Sequence, residues 1–194
     1  RALHNVIFIP ARYPSSRFPG KPLAMLTGAT GGMGRAIVAA LCARGAQVLV
    51  VGRQDKALQA LVERNPSQVS CLQADLRQPA ERASVLRQAQ QMGDINLLIN
   101  AAGINHFGLF ENMQEQAIND LIETNLTATL QLTHAMLPLL RSQPQSCVVN
   151  IGSTFGSIGY PGFAAYCASK FALRGFSEAL RRELADSQVK VLYI

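Results

Sequence analysis

The sequence predicts an α/β fold, a doubly wound parallel sheet with helices on both faces. Three observations carry this. From residue 23 onward, short apolar runs of strand length alternate with stretches of helical periodicity. A glycine-rich turn, Thr27-Gly28-Ala29-Thr30-Gly31-Gly32-Met33-Gly34, joins the first apolar run to the first helical stretch. The 194 residues suffice for one well-buried core and are few for two ordinary domains.

The first strand is placed at 23–26 and runs directly into the glycine turn. A helix follows over 33–44, where Ile37, Val38, Leu41 and Cys42 share one face and Gly45 suits the left-handed position that ends a helix. A strand over 47–51 leads to a helix over 54–64, stopped before Pro66. Strands over 69–73 and 97–100 flank a helix over 79–91. One long helix is expected over 114–141, ended or bent by Pro138. The set closes with a strand over 147–151, a helix over 164–186 and a strand over 189–194.

Charge is unevenly spread. Residues 1–54 hold seven Lys and Arg and no Asp or Glu, so the whole net charge of +6 arises in that first quarter. The basic residues flank glycine-bearing turns and lack interleaved aromatics, which favours small phosphorylated ligands over nucleic acid. Cys42, Cys71, Cys147 and Cys167 show no C-x-x-C spacing and lie within apolar patterns, so they read as buried free thiols in a reducing, cytoplasmic compartment. No metal-ligand cluster and no membrane-length apolar run are found.

The turn at 27–34 suits a phosphate. Glycines let the backbone approach closely, and the helix that follows opens with unpaired N–H groups and a partial positive charge. Its spacing is neither G-x-G-x-x-G nor a P-loop, since no Lys-Ser/Thr follows Gly34. The second strand ends Val51-Gly52-Arg53. An acidic residue there would accept from a ribose 2′-hydroxyl, whereas Gly52-Arg53 offers space and a cation for a 2′-phosphate, favouring NADP(H) over NAD(H).

Tyr166 and Lys170 stand four residues apart in a helical stretch and so share a face. A lysine ammonium beside a phenol favours the phenolate and draws the acid towards working pH. With Ser153 upstream, the glycine turn spaced as Gly28, Gly32 and Gly34, and Asn100-Ala101-Ala102-Gly103 after the fourth strand, the chain resembles the short-chain dehydrogenase/reductase family over residues 23–194. The resemblance implies a Rossmann-like sheet and NADP(H)-dependent interconversion of a small carbonyl or alcohol substrate. It implies Asn125, Ser153, Tyr166 and Lys170 as catalytic residues. Tyr166 would exchange the proton, Ser153 orient the carbonyl oxygen, Lys170 tune Tyr166 and bind the nicotinamide ribose, and Asn125 hold a water leading from Lys170 to solvent. The cofactor contacts implied are Gly28, Thr30, Gly31, Gly32, Met33, Gly34, Arg53, Asp75, Leu76, Asn100, Ala101 and Gly103, together with Tyr166 and Lys170. Asp75 would meet the adenine amino group; read from sequence alone it equally caps a turn. Phe155, Ile158, Tyr160, Pro161 and Phe163, with Asn105, His106 and Phe107, are candidates for a substrate wall. The resemblance further implies a homo-oligomer, dimer or tetramer, paired through the helices over 114–141 and 164–186.

Two features depart from this pattern. The stretch Val6-Ile7-Phe8-Ile9-Pro10-Ala11-Arg12-Tyr13-Pro14-Ser15-Ser16-Arg17-Phe18-Pro19-Gly20-Lys21 within residues 1–28 resembles the opening of a 3-deoxy-manno-octulosonate cytidylyltransferase, implying a nucleoside triphosphate cradle built from Arg12, Ser15, Arg17, Gly20 and Lys21. At the other end the chain stops in its sixth strand, so the family's lid and last strand are missing. The chain therefore reads as a cytidylyltransferase-like segment, 1–22, before an incomplete dinucleotide-binding and catalytic domain, 23–194. Two alternatives to oxidoreduction are CTP-dependent nucleotidyl transfer and a catalytically idle dinucleotide-binding module.

Overall fold

The computed structural model describes residues 22–194. Strands β1 (Leu23–Thr27), β2 (Gln47–Gly52), β3 (Val69–Gln73), β4 (Leu97–Asn100), β5 (Ser146–Asn150) and β6 (Val189–Tyr193) form one sheet in the order β3-β2-β1-β4-β5-β6. Every pairing is parallel. The helices are α1 (Gly32–Cys42), α2 (Asp55–Arg64), α3 (Pro79–Met92), α4 (Glu115–Ile122), α5 (Ala128–Arg141) and α6 (Ala164–Glu183). The strand order reverses between β1 and β4, which opens a crevice beyond their C-terminal ends where Thr27 pairs with Asn100.

Side-chain alternation along the strands divides the core into two layers. On one face Met25, Leu49, Leu98, Val148 and Val191 pack with Val85 of α3, Leu132 and Met136 of α5 and Leu180 of α6. On the other, Ala24, Leu26, Val48, Val50 and Ile99 pack with Ile37, Val38 and Leu41 of α1 and Leu58 of α2. Burial on both faces is why the inner strands β1, β2, β4 and β5 read as near-continuous apolar runs, whereas the edge strands β3 and β6 expose Ser70, Gln73 and Lys190. Leu98 is fully buried, so its truncation to Ala would cost about 2–5 kcal/mol.

All six predicted strands are present, with ends displaced by a residue at most. Gly45 adopts φ +78°, the left-handed conformation expected where α1 ends. The single helix expected over 114–141 is instead two helices joined by a π turn, Glu123–Thr127. That wider turn leaves Asn125 wholly buried. Pro138 neither ends nor visibly interrupts α5, which continues to Arg141; placed so near the C-terminus, it costs the helix few bonds. The cytidylyltransferase-like stretch lies outside the described residues.

Candidate active site

A cavity of about 320 Å³ occupies the crevice. Gly28, Thr30, Gly31, Gly32, Met33 and Gly34 form one wall. Gly52, Arg53, Asp75, Leu76 and Arg77 form the opposite wall, and Ala101 to Ile104 form the floor. Of the residues predicted to hold a cofactor, the whole glycine turn, Arg53, Asp75, Leu76, Ala101 and Gly103 line this one space.

The three patterned glycines are required for different reasons. Gly28 has φ +69°, and a Cβ on it would stand 2.4 Å from the Ala101 carbonyl oxygen; a Cβ on Gly34 would stand 2.3 Å from the Gly28 carbonyl oxygen. The fold itself therefore excludes side chains at both. Gly32 is different, because a Cβ there would meet no protein atom within 4 Å. The first-turn N–H groups of Gly32, Met33 and Gly34 have no acceptor within the helix, and no acidic residue opposes them. A cavity with donors, partial positive charge and open space beside a bare backbone fits the diphosphate of a dinucleotide.

Arg53 makes no salt bridge among the described residues. Its backbone is held instead, its carbonyl accepting from Gln73 Nε2 at 3.0 Å. Asp75 is more committed: its carboxylate accepts from Arg77 Nη2 at 2.6 Å and Nε at 3.0 Å, and from the Arg77 backbone N–H at 3.0 Å. The Arg77 guanidinium holds Asp75 below the usual carboxylate range. It also reaches Asp120 of α4 at 2.7 Å. Arg77 lines the cavity and was not anticipated from sequence, since its partner Asp120 is 43 residues away.

Thr27, the first residue of the glycine turn, has a further role. Its Oγ1 accepts from the backbone N–H groups of Ala101 and Ala102, both at 3.1 Å, and so pins the floor of the cavity. Asn100, expected to touch cofactor, does not line the cavity. It is buried, and its Nδ2 donates to Thr133 Oγ1 at 3.1 Å and Asn150 Oδ1 at 2.8 Å. As the last residue of β4 its side chain turns into the core between α5 and β5, where it ties the strands together.

Beyond Gly103 the floor meets the second group of predicted residues. A Cβ on Gly103 would stand 3.3 Å from Asn125 Oδ1 and 3.9 Å from Lys170 Nζ. Tyr166 and Lys170 do not line the cavity itself, but Lys170 adjoins its floor at Gly103. Lys170 is buried; its Nζ donates to the Ile151 carbonyl at 2.9 Å and lies 5.8 Å from the centre of the Tyr166 ring. Burial lowers the Lys170 pKa from its ordinary value. The Ser153 oxygen accepts from the Phe155 N–H at 3.2 Å, capping the short turn Thr154–Gly156. Its own hydroxyl proton remains to donate.

The Asn125 side chain is engaged by protein partners. Its Nδ2 donates to the Ile104 carbonyl at 2.8 Å and to Ser169 Oγ at 3.2 Å, and its Oδ1 accepts from the Ile104 N–H at 2.8 Å. Both amide donors are thereby spent, clamping the loop after β4 to α6. All four cysteines are free thiols, with Cys147 and Cys167 buried and Cys42 and Cys71 half-buried. Among the described residues no group of side chains could hold a metal ion, and no helix is long and apolar enough to cross a membrane.

Residues 22–194 match the family model described as short chain dehydrogenase. The 3-oxoacyl-[acyl-carrier-protein] reductase FabG of Escherichia coli (strain K12) is 35% identical over 175 residues, covering 90% of this chain and 71% of the reductase. Nodulation protein G of Rhizobium sp. (strain N33) is 34% identical over 169 residues, 87% of this chain and 69% of that protein. A crystal structure of a short-chain dehydrogenase from Streptomyces avermitilis superposes with a TM-score of 0.86 at 34% identity, covering 91% of this chain and 65% of the other. The closed form of serine dehydrogenase complexed with NADP+ gives a TM-score of 0.83 at 30% identity, covering 88% of this chain and 70% of the other. This chain thus spans about two thirds of the length of its relatives. The family match begins at Pro22, beyond the cytidylyltransferase-like stretch, and none of these relatives is a nucleotidyltransferase. Sequence, strand order and the glycine-walled crevice agree: the chain belongs to the short-chain dehydrogenase family.

Proposed function

We propose that the chain is an NADP(H)-dependent oxidoreductase that interconverts a small carbonyl compound and its alcohol. One observation carries this: Lys170 Nζ, with the Tyr166 ring 5.8 Å away, lies beside Gly103 on the floor of a cavity whose opposite wall bears Arg53 and whose glycine turn presents free N–H groups. The NADP+ held by a relative of the same fold supports the cofactor, and the reductase names among the relatives support the reaction type.

When bound, the nicotinamide supplies or accepts the hydride. The chain's own residues hold the substrate oxygen and move the proton. Tyr166 Oη donates a proton to the carbonyl oxygen as that oxygen gains charge, and takes it back in the reverse direction. Ser153 donates its unspent hydroxyl hydrogen to the same oxygen; because the Phe155 N–H fixes the serine oxygen, that donor is set before substrate arrives. Lys170 has one of its three donors on Ile151 and two left for ribose hydroxyls. Asn125 holds the Ile104 loop against the catalytic helix, keeping the floor in register with Lys170. Gly32, Met33 and Gly34 would receive the diphosphate, and Arg53 the 2′-phosphate.

Replacing Tyr166 with Phe removes the proton donor and little else. Carbonyl reduction should fall by about 10²–10⁴-fold while NADPH affinity is retained. Turnover equal to wild type would overturn the assignment.

A further inference from the structure

We infer that the substrate presents a neutral, flat, aromatic or similarly bulky apolar group to a cluster of rings leading to Tyr166. This rests on the reading of Tyr166 as the proton donor and adds the chemistry of what it meets. Five aromatic rings are contiguous. Phe155 and Phe163 each lie 6.2 Å from the Tyr166 ring, both edge-on. Phe107 joins Phe163 at 5.1 Å, and Tyr160 stacks on Phe155 at 5.3 Å with only 17° between the rings. Exposure rises outward: Tyr166 is half-buried, Tyr160 is 55% exposed and Phe107 is 73% exposed. Contiguous exposed apolar surface can mark a binding site.

The rings are seated rather than incidental. Gly162, at φ +83°, forms a notch for Phe107, since a Cβ there would stand 2.6 Å from that ring. The Gly108 N–H donates to the Gly162 carbonyl at 2.9 Å, fastening the loop that carries Phe107 to the loop that carries Phe163. An otherwise exposed phenylalanine is thereby held in a fixed place beside the site. The segments 103–110 and 151–166 contain no Asp, Glu, Lys or Arg. Apart from His106 and neutral hydroxyl and amide groups, nothing in them would hold a carboxylate, phosphate or ammonium on the substrate, and burying such a group against rings would cost its hydration. Aryl or polycyclic surface, by contrast, meets tilted and edge-on ring faces at the spacing such pairs prefer.

The test is binding to the NADPH complex, measured by calorimetry with three probes: 2-acetylnaphthalene, acetoacetate, and the acetoacetyl thioester of pantetheine. The aryl ketone should bind about tenfold or more tightly than either of the others, and Phe107→Ala and Phe163→Ala should each weaken it by about tenfold, the order expected for losing one ring face. NADPH affinity should be unchanged in both variants, which shows that they are folded. Tighter binding of acetoacetate or of the thioester, or unchanged aryl ketone binding in Phe107→Ala, would overturn the inference. The Tyr166→Phe enzyme separates the two readings. It should bind the aryl ketone without reducing it; wild-type turnover there would defeat the proton-donor assignment while leaving the aromatic surface standing.

Discussion

Gly32 and Gly34, two residues apart in the same turn, should respond to alanine in opposite ways. In Gly34→Ala the new methyl meets the Gly28 carbonyl oxygen at 2.3 Å, Ala29 Cα at 2.6 Å and Ala29 C at 2.8 Å, where ordinary contact begins at 3.4 Å. These are backbone atoms and cannot rotate away, so the turn must open by about 1 Å. Overpacking of that kind costs up to about 3 kcal/mol. The gain in helix propensity from Gly to Ala returns at most about 1 kcal/mol. The net loss of about 2 kcal/mol corresponds to a Tm lower by about 4–8 °C for a chain of this size. Gly32→Ala meets nothing, so its Tm should hold or rise by a few degrees, but its methyl stands where the diphosphate approaches the helix. NADPH affinity should fall by about tenfold or more. Thermal unfolding followed by circular dichroism, with NADPH fluorescence titration of each variant, reads both effects. A wild-type Tm for Gly34→Ala would refute the close-packed turn, and wild-type NADPH affinity for Gly32→Ala would refute the placement of the dinucleotide.

Other residues give independent tests. Thr27→Val keeps the shape but removes the acceptor of the Ala101 and Ala102 N–H groups; it should cost about 2 kcal/mol in urea unfolding, and an unchanged midpoint would show that those groups find other partners. Arg53→Ala should weaken NADPH by about tenfold or more while sparing NADH, with the difference shrinking at high salt. Equal loss for both cofactors would refute the 2′-phosphate assignment. Asp75 has a lowered pKa because Arg77 hydrogen-bonds its carboxylate. Its stabilising contribution is therefore full above its unfolded pKa of about 4 and is lost as pH falls through the lower folded value. Wild type should exceed Asp75→Asn in unfolding free energy by about 1–2 kcal/mol at pH 7. That gap should close on acidification, and one that stays constant into strong acid would remove the ion pair as its cause.

The elements built from local pattern were legible. Leu23–Thr27 and Gln47–Gly52 are found within a residue of where apolar runs placed them, because an inner strand buried on both faces is apolar along nearly its whole length. Helical spacing sufficed to put Tyr166 and Lys170 together, since residues four apart share a face whatever the surroundings. The π turn at Glu123–Thr127 left no such trace. It changes the path of the helix without altering the apolar period on either side, and only its packing against Ile104 and Ser169 accounts for the burial of Asn125.

Sequence by itself determined the layered fold, the glycine turn and the pairing of Tyr166 with Lys170 on one helix face, all of which follow from periods and spacings within about twenty residues. Tertiary structure decided which of those residues share a space. Asn100 and Ala101 are adjacent in sequence, yet one side chain is sealed in the core against Asn150 while the other residue lines the cavity. Arg77 joins the site through Asp120, and Phe107 is seated by Gly162, across 43 and 55 residues of chain. Such pairings depend on crossover connections that bring distant strands side by side, and no local period records them.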